Sequence, residues 1–265
     1  MHPLSGSSRL YLIVGDPIAQ VKSPAGVTAA LQALGHDAWM LPAHVAPADF
    51  TTWFAGISTM RNCDGVLITV PHKFAAVAAC ATLSPRAKFL GTVNMLRCNA
   101  DGTWHGDMSD GLGMLRALRD LGCAPAGLRA LVVGAGGAGS AIAHALIEAG
   151  VRDLAIHDPD MNRRSALIAR LQPVAPTTTI AHGSADPSGF DIVINASPMG
   201  MQSSDPLPCD VTRLTAQTWV GDVVTLPAIP PLIETARAIG CKAVTGTDMA
   251  ASVGGLIVDF FLQPK

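Results

Sequence analysis

Residues Gly134-Ala135-Gly136-Gly137-Ala138-Gly139 carry the spacing GxGxxG directly after the apolar run Ala130–Val133 and ahead of a stretch of small, helix-compatible residues. In a turn of this kind the first glycine permits a tight reversal and the second lets the backbone approach a pyrophosphate. The third allows the helix to pack closely on the strand. The start of the helix then offers free N–H groups and a positive dipole end to the phosphates. Nineteen positions beyond the last glycine, Asp158 closes the next strand pattern. A carboxylate there accepts hydrogen bonds from an adenosine ribose hydroxyl and repels a 2′-phosphate. The arrangement predicts a bound dinucleotide, with NAD favoured over NADP, although Arg163 and Arg164 lie close enough to argue for a phosphate.

A second set of polar residues falls earlier. Thr69-Val70-Pro71-His72-Lys73 ends an apolar strand pattern, and Pro71 suits the first turn of a helix. A lysine just past a strand end projects into the crevice where α/β sheets bind ligands. Asn94 and Asp110 recur at two later boundaries. Taken singly, each has an ordinary role as a surface cation, a strand-end hydrogen bond or a helix cap. The six cysteines and eight histidines are dispersed, with no CxxC pair and no cluster at ligand spacing. No metal is expected, the thiols read as buried and free, and His72 reads as a packing or hydrogen-bonding residue.

The elements that position these groups alternate strand and helix, the signature of parallel α/β architecture. Strands are expected at 10–14, 38–43 and 65–70, helices at 24–34 and 47–59, and a hairpin of 92–98 and 103–106 about the turn Asn99-Ala100-Asp101-Gly102. The pattern then restarts with a helix at 110–121, for which Ser109 is a candidate cap. Strands follow at 130–133, 154–157, 178–181, 192–195 and 219–224, with helices after the glycine turn and at 161–171, 231–239 and 249–262.

Composition narrows the function further. With 49% apolar and 14% charged residues the chain is a folding sequence, and 18 basic against 20 acidic residues give a net charge of −2. That balance offers no basic surface for nucleic acid or an anionic membrane. The uncharged stretch of 18 residues from Ala130 to Ile147 approaches spanning length, but its four glycines fit a strand, a turn and a small-residue helix better than a membrane helix. The N-terminus carries no signal-peptide pattern, so a cytoplasmic location is expected. The partner is expected to be a small molecule.

Several segments recur in a known order: Gly15-Asp16-Pro17-Ile18-Ala19 followed by Ser23-Pro24, Thr69–Lys73, Gly91-Thr92-Val93-Asn94, Ser109-Asp110-Gly111-Leu112-Gly113, the glycine turn, and Asn195-Ala196-Ser197-Pro198-Met199-Gly200. Over nearly its whole length the chain resembles the shikimate dehydrogenases. The resemblance implies a two-domain α/β protein. A substrate domain of residues 1–106, completed by a C-terminal helix at 246–265, joins a Rossmann-type doubly wound domain at 107–245, with substrate and nicotinamide in the cleft between them. It implies Lys73 and Asp110 as the catalytic pair for the proton that accompanies hydride transfer. Substrate contacts would come from Ser23, Thr69, Asn94, Thr225 and Val253. Cofactor contacts would come from Gly134 through Gly139, Asp158, Arg163, Asn195, Ala196, Ser197, Met199, Val223, Gly246 and Met249. Lys73 can serve as the proton carrier if its pKa is lowered, or stay charged and stabilise the oxyanion. The expected state is a monomer or homodimer.

Departures from the family concentrate at substrate-facing positions. Val21 stands where the family has the first of two carboxylate-holding serines, leaving Ser23, which is also a candidate helix cap. Thr225 and Gly221 stand at tyrosine positions, Val253 at a glutamine position, and Met108 and Ser109 in place of Asn and Thr. Losing a buried hydrogen-bond partner costs about 1–3 kcal/mol per group. The expectation is an oxidoreductase acting on a ring hydroxyl of shikimate, quinate or a related cyclic hydroxy acid, with weak activity on shikimate itself. The competing reading is a nucleotide-binding regulator of the same fold without turnover.

Overall fold

The computed structural model describes residues 3–263. In chain order its first elements are β1 (Arg9–Gly15), α1 (Ser23–Ala33), β2 (Ala38–His44), α2 (Phe50–Ile57), β3 (Cys63–Ile68), β4 (Thr82–Leu83), α3 (Pro85–Leu90), β5 (Met95–Cys98) and β6 (Trp104–Asp107). There follow α4 (Asp110–Asp120), β7 (Arg129–Val133), α5 (Gly137–Glu148), β8 (Asp153–His157), α6 (Met161–Leu171) and β9 (Thr179–His182). The chain closes with β10 (Ile192–Asn195), β11 (Trp219–Asp222), α7 (Pro231–Ile239), β12 (Lys242–Val244) and α8 (Gly246–Leu262).

Two compact units result, one of Met1–Ser109 with Val253–Lys265 and one of Asp110–Ser252. Their limits fall at Ser109 and inside α8, where the family resemblance implies 106 and 246. Residues 107–109 stay with the first unit because Asp107 and Ser109 bond to Arg86 and Asn94 there. Within α8, Gly246 lies against the backbone of Val223 and Val224, whereas Val253 is part of the first unit's core.

The first unit is built on a six-stranded sheet in the order β2-β1-β3-β5-β6-β4. β1 runs parallel to β2 and β3, and β5 runs antiparallel to β3 and β6. Every residue of β3 is buried, as expected for a central strand covered on both faces. Tyr11, Ile13, Leu31, Met40, Leu67 and Met95 pack with Val253, Ile257 and Phe261 in one core. Gly65 permits that packing, because a Cβ there would lie 2.5 Å from the Phe261 ring.

The second unit is a six-stranded sheet in the order β12-β11-β10-β7-β8-β9, with every pairing parallel. Numbered from β7, this is the order 3-2-1-4-5-6 of the dinucleotide-binding Rossmann fold, and its switch point lies between β7 and β10. Ala130 through Val133 are at most 1% exposed, so β7 is the buried centre that the apolar run predicts.

The structure corrects several local expectations. No α-helix begins at Pro71: the Lys73 carbonyl accepts from Val93 N at 3.0 Å instead of serving an N–H one helical turn on. The chain turns there and forms only a short 3-10 helix at Ala75–Ala79. Ser23 is the first residue of α1 rather than its cap, and no side chain caps that helix. Ser109 likewise directs its hydroxyl to Asn94. α8 starts at Gly246, where the resemblance begins the C-terminal helix and three residues ahead of the 249–262 pattern, because Thr245 and Asp248 form a reciprocal cap, with Thr245 Oγ donating to Asp248 at 2.8 Å and accepting from Asp248 N at 3.1 Å. The unexpected α3 carries a readable signal: Ser84 caps it through Ala87 N, Pro85 opens it and Gly91 closes it at φ 65°. Among the described residues no helix is long and apolar enough to cross a membrane.

Candidate active site

In the first unit, backbone hydrogen bonds gather Thr69, Lys73 and Asn94 at one end of the sheet. Thr69 N donates to Val14 O at 2.9 Å, Ile68 N to Asn94 O at 2.8 Å, and Val93 N to Lys73 O at 3.0 Å. Gly15 makes this convergence possible, since a Cβ there would lie 2.3 Å from the Thr69 methyl. Lys73 and Thr69 are half-buried. His72 is 1% exposed, its Nε2 lies 2.8 Å from Val45 O, and its ring stacks on Phe50 at 4.7 Å, so it packs and hydrogen-bonds.

Asn94 is 7% exposed and its amide faces Ser109. Asn94 Nδ2 donates to Ser109 Oγ at 3.1 Å, and Ser109 N donates to Asn94 Oδ1 at 2.9 Å. Asp107 fixes the same segment from the other side. It accepts from Arg86 Nε at 2.8 Å, Arg86 Nη2 at 2.5 Å, Ser84 Oγ and Met108 N. The Arg86–Asp107 fork has strong bidentate geometry and pins the strand end immediately before Ser109 and Asp110. Composition gave no hint of it, because the partners are 21 residues apart. Asp110, 8% exposed, is the first residue of α4.

In the second unit the glycine turn has the geometry of a phosphate cradle. Gly134 adopts φ +107° and a Cβ on it would lie 2.8 Å from the Ala196 backbone, while a Cβ on Gly139 would lie 1.9 Å from Gly134 O. Above Gly136 nothing lies within 4 Å of the Cβ position, so the space that a pyrophosphate needs is open. α5 begins at Gly137 with no side chain capping its N–H groups. These residues fit a dinucleotide: Gly134 through Gly139 would hold its phosphates.

The loop after β10 is ordered by its own side chains. Asn195, 0% exposed, donates from Nδ2 to Met199 O at 3.0 Å and to Asp222 Oδ1 at 3.1 Å. Its Oδ1 accepts from Ser197 N at 3.0 Å and Ser197 Oγ at 2.6 Å. Ala196 and Ser197 thereby lie against Gly134. Val223 N donates to Asn195 O, and a Cβ on Gly246 would lie 2.4 Å from Val224 O, which draws the start of α8 to the same edge. Met249 is buried one turn further on, and Thr225 is half-buried. Val253 is 5% exposed within the first unit's core, and Val21 packs against that core, so both extend its apolar packing. Among the described residues no group of His, Cys, Asp or Glu is arranged to hold a metal ion.

The family model for the shikimate dehydrogenase substrate binding domain matches residues 13–96. A protein of Acidiphilium cryptum named shikimate dehydrogenase (NADP(+)) is 37% identical over 247 residues, covering 93% of this chain and 87% of that relative. This chain belongs to the shikimate dehydrogenase family. The family fold recurs in the ligand-free 5-ketofructose reductase of a Gluconobacter species, at 28% identity and a TM-score of 0.84, covering 97% of this chain and 94% of that one. It recurs also in shikimate 5-dehydrogenase from Thermus thermophilus in complex with NADP(H) and shikimate, at 27% identity and a TM-score of 0.85, covering 96% and 93%.

These relatives overturn the preference for NAD read from Asp158, since shikimate dehydrogenases similar to this chain are named for NADP(+) or bind NADP(H). In this chain Asp158 and Arg163 are placed as follows. Asp158 is 4% exposed, its Oδ2 accepts from Ala135 N at 2.8 Å and its Oδ1 from Asp160 N at 2.9 Å. The carboxylate thus holds the glycine turn, and both oxygens are engaged. Arg163, whose side chain is 57% exposed, brings Nη1 to 3.7 Å from Asp158 and Nη2 to 3.6 Å from Asp160.

Proposed function

We propose that this protein is an NADP-linked dehydrogenase acting on a ring hydroxyl of shikimate, quinate or a related cyclic hydroxy acid. The observation that carries the reading is the joint retention of Lys73, Asn94 and Asp110 with the glycine turn in a chain 37% identical to a named shikimate dehydrogenase. A regulator without turnover has no need of that polar set. Oxidation of a secondary alcohol removes a hydride from carbon and a proton from oxygen, and the bound dinucleotide supplies the hydride acceptor. Lys73 takes the hydroxyl proton in that direction and returns it in the reverse one, and Asp110 is the second residue assigned to that proton transfer. Asn94, oriented by Ser109, holds a substrate hydroxyl, and Thr69 and Ser23 supply further polar contacts.

A second reading, reduction of an uncharged polyhydroxy ketone, draws on the apolar packing of Val21 and Val253 and on the likeness to a 5-ketofructose reductase. Initial rates with NADP and NAD on shikimate and quinate, and with NADPH on 5-ketofructose, separate the two. Turnover of a cyclic acid supports the first reading, and turnover of the ketose alone supports the second. Silence with every pair overturns both, and shikimate as the best substrate overturns the idea of an altered pocket.

The cofactor assignment has its own test. Arg163→Ala is expected to raise KM for NADP roughly five- to tenfold, the loss of one charge-assisted contact, and to leave KM for NAD nearly unchanged. An equal effect on both dinucleotides removes Arg163 from 2′-phosphate recognition.

A further inference from the structure

Asp222 closes β11 and is 0% exposed. Its Oδ1 accepts from Asn195 Nδ2 at 3.1 Å and from Val224 N at 2.9 Å. Its Oδ2 is buried with no hydrogen-bond partner among the described residues, an arrangement costly enough to need an explanation. Through Asn195 the carboxyl reaches the Met199 carbonyl and both Ser197 donors, and through Val224 it reaches the segment against which Gly246 packs. One buried group therefore ties together the 196–199 loop, the 223–225 segment and the start of α8.

We propose that Asp222, acting through Asn195, is a positioning residue that sets the 196–199 loop against the glycine turn and so tunes the affinity of the dinucleotide site. This rests on the reading of the second unit as a dinucleotide site. Burial pushes the Asp222 carboxyl up to about 7, against hydrogen bonds from Val224 N and Asn195 that lower it. Charges on the packed elements do not dominate it. From β12, Lys242 lies over the Trp219 ring at the other end of β11. α4 and α7 turn Arg116, Arg119, Asp120, Glu234 and Arg237 to solvent, and Asp110 at the head of α4 does not shift it. The thiol of Cys209, which senses Asp222, is itself pushed up to about 11 and stays neutral. Ionised Asp222 is the stronger acceptor, so the loop is held more firmly above pH 7 than below it.

The test is the Kd for NADP, read by quenching of protein fluorescence from about pH 5.5 to about 8.5, in the wild type and in Asp222→Asn. The wild type is expected to bind about five- to tenfold more tightly at the upper end, with an inflection near 7. The variant, which keeps an acceptor but loses the charge, is expected to stay near the low-pH value throughout. A variant profile that superimposes on the wild type overturns the proposal. Should the variant not fold, hydrogen exchange of the Ser197 and Met199 amides in the wild type decides. Protection that rises through the same pH range supports the assignment, and protection independent of pH overturns it. Absence of any NADP binding by the wild type would instead overturn the dinucleotide reading on which the proposal stands.

Discussion

Lys73→Ala is expected to lower kcat by roughly a hundred- to ten-thousand-fold, the usual contribution of a positioned acid–base group. The backbone at this position is held by Val93 N on the Lys73 carbonyl and by the turn closed between His72 N and Thr69 O, neither of which needs the side chain. The fold should therefore survive, and NADP affinity, which belongs to residues of the second unit, should change by less than about twofold. Single-turnover rates and dinucleotide titration check the two halves separately. Lys73→Arg adds a distinction, because arginine keeps the charge but does not release its proton. Recovery of activity in Lys73→Arg would mean that the cation stabilises a developing oxyanion, whereas continued loss assigns Lys73 as the proton carrier. A fall of less than about tenfold in Lys73→Ala removes it from the chemistry altogether.

The second large effect separates the two roles that the motif gives to its second and third glycines. Gly139→Ala would place a Cβ 1.9 Å from Gly134 O and 2.8 Å from Gly134 C, inside backbone that has no room to yield without moving the turn. Overpacking of this kind costs about 1–3 kcal/mol, so a lowered urea midpoint and a dinucleotide affinity reduced by at least tenfold are expected together. Gly136→Ala behaves differently. Gly136 has φ −76°, which any residue adopts, and its Cβ position faces open space. Its urea midpoint should match the wild type, while affinity falls by about tenfold or more because the methyl enters the space of the pyrophosphate. Undiminished affinity in Gly136→Ala would show that no phosphate passes over that residue. An unchanged midpoint in Gly139→Ala would show that the close approach of helix and turn does not limit the fold.

The sequence by itself determined what is encoded locally. The glycine turn between an apolar strand and a small-residue helix, the helices at 161–171 and 231–239, and the strand at 192–195 are set by periodicity, turn residues and caps within a few positions of one another. The ordered motifs also carried the family. Tertiary structure decided which donor meets which acceptor, and that is where local reading fell short. The sequence places an aspartate after the second strand of the glycine-turn unit, but only the fold brings the Asp158 carboxylate to Ala135 N, 23 residues away, and to Asp160 N. Pro71 reads as the opening of a helix, yet Val93 takes the Lys73 carbonyl first. Ser23 and Ser109 read as caps, yet one caps nothing and the other serves Asn94 across 15 positions. Asp222 falls between the two replaced tyrosine positions, Gly221 and Thr225, but its bond to Asn195, 27 residues away, exists only once β10 and β11 lie side by side. A polar side chain takes the partner that the folded chain brings to it, and the satisfaction of buried polar groups is a property of the whole packing rather than of any stretch of sequence.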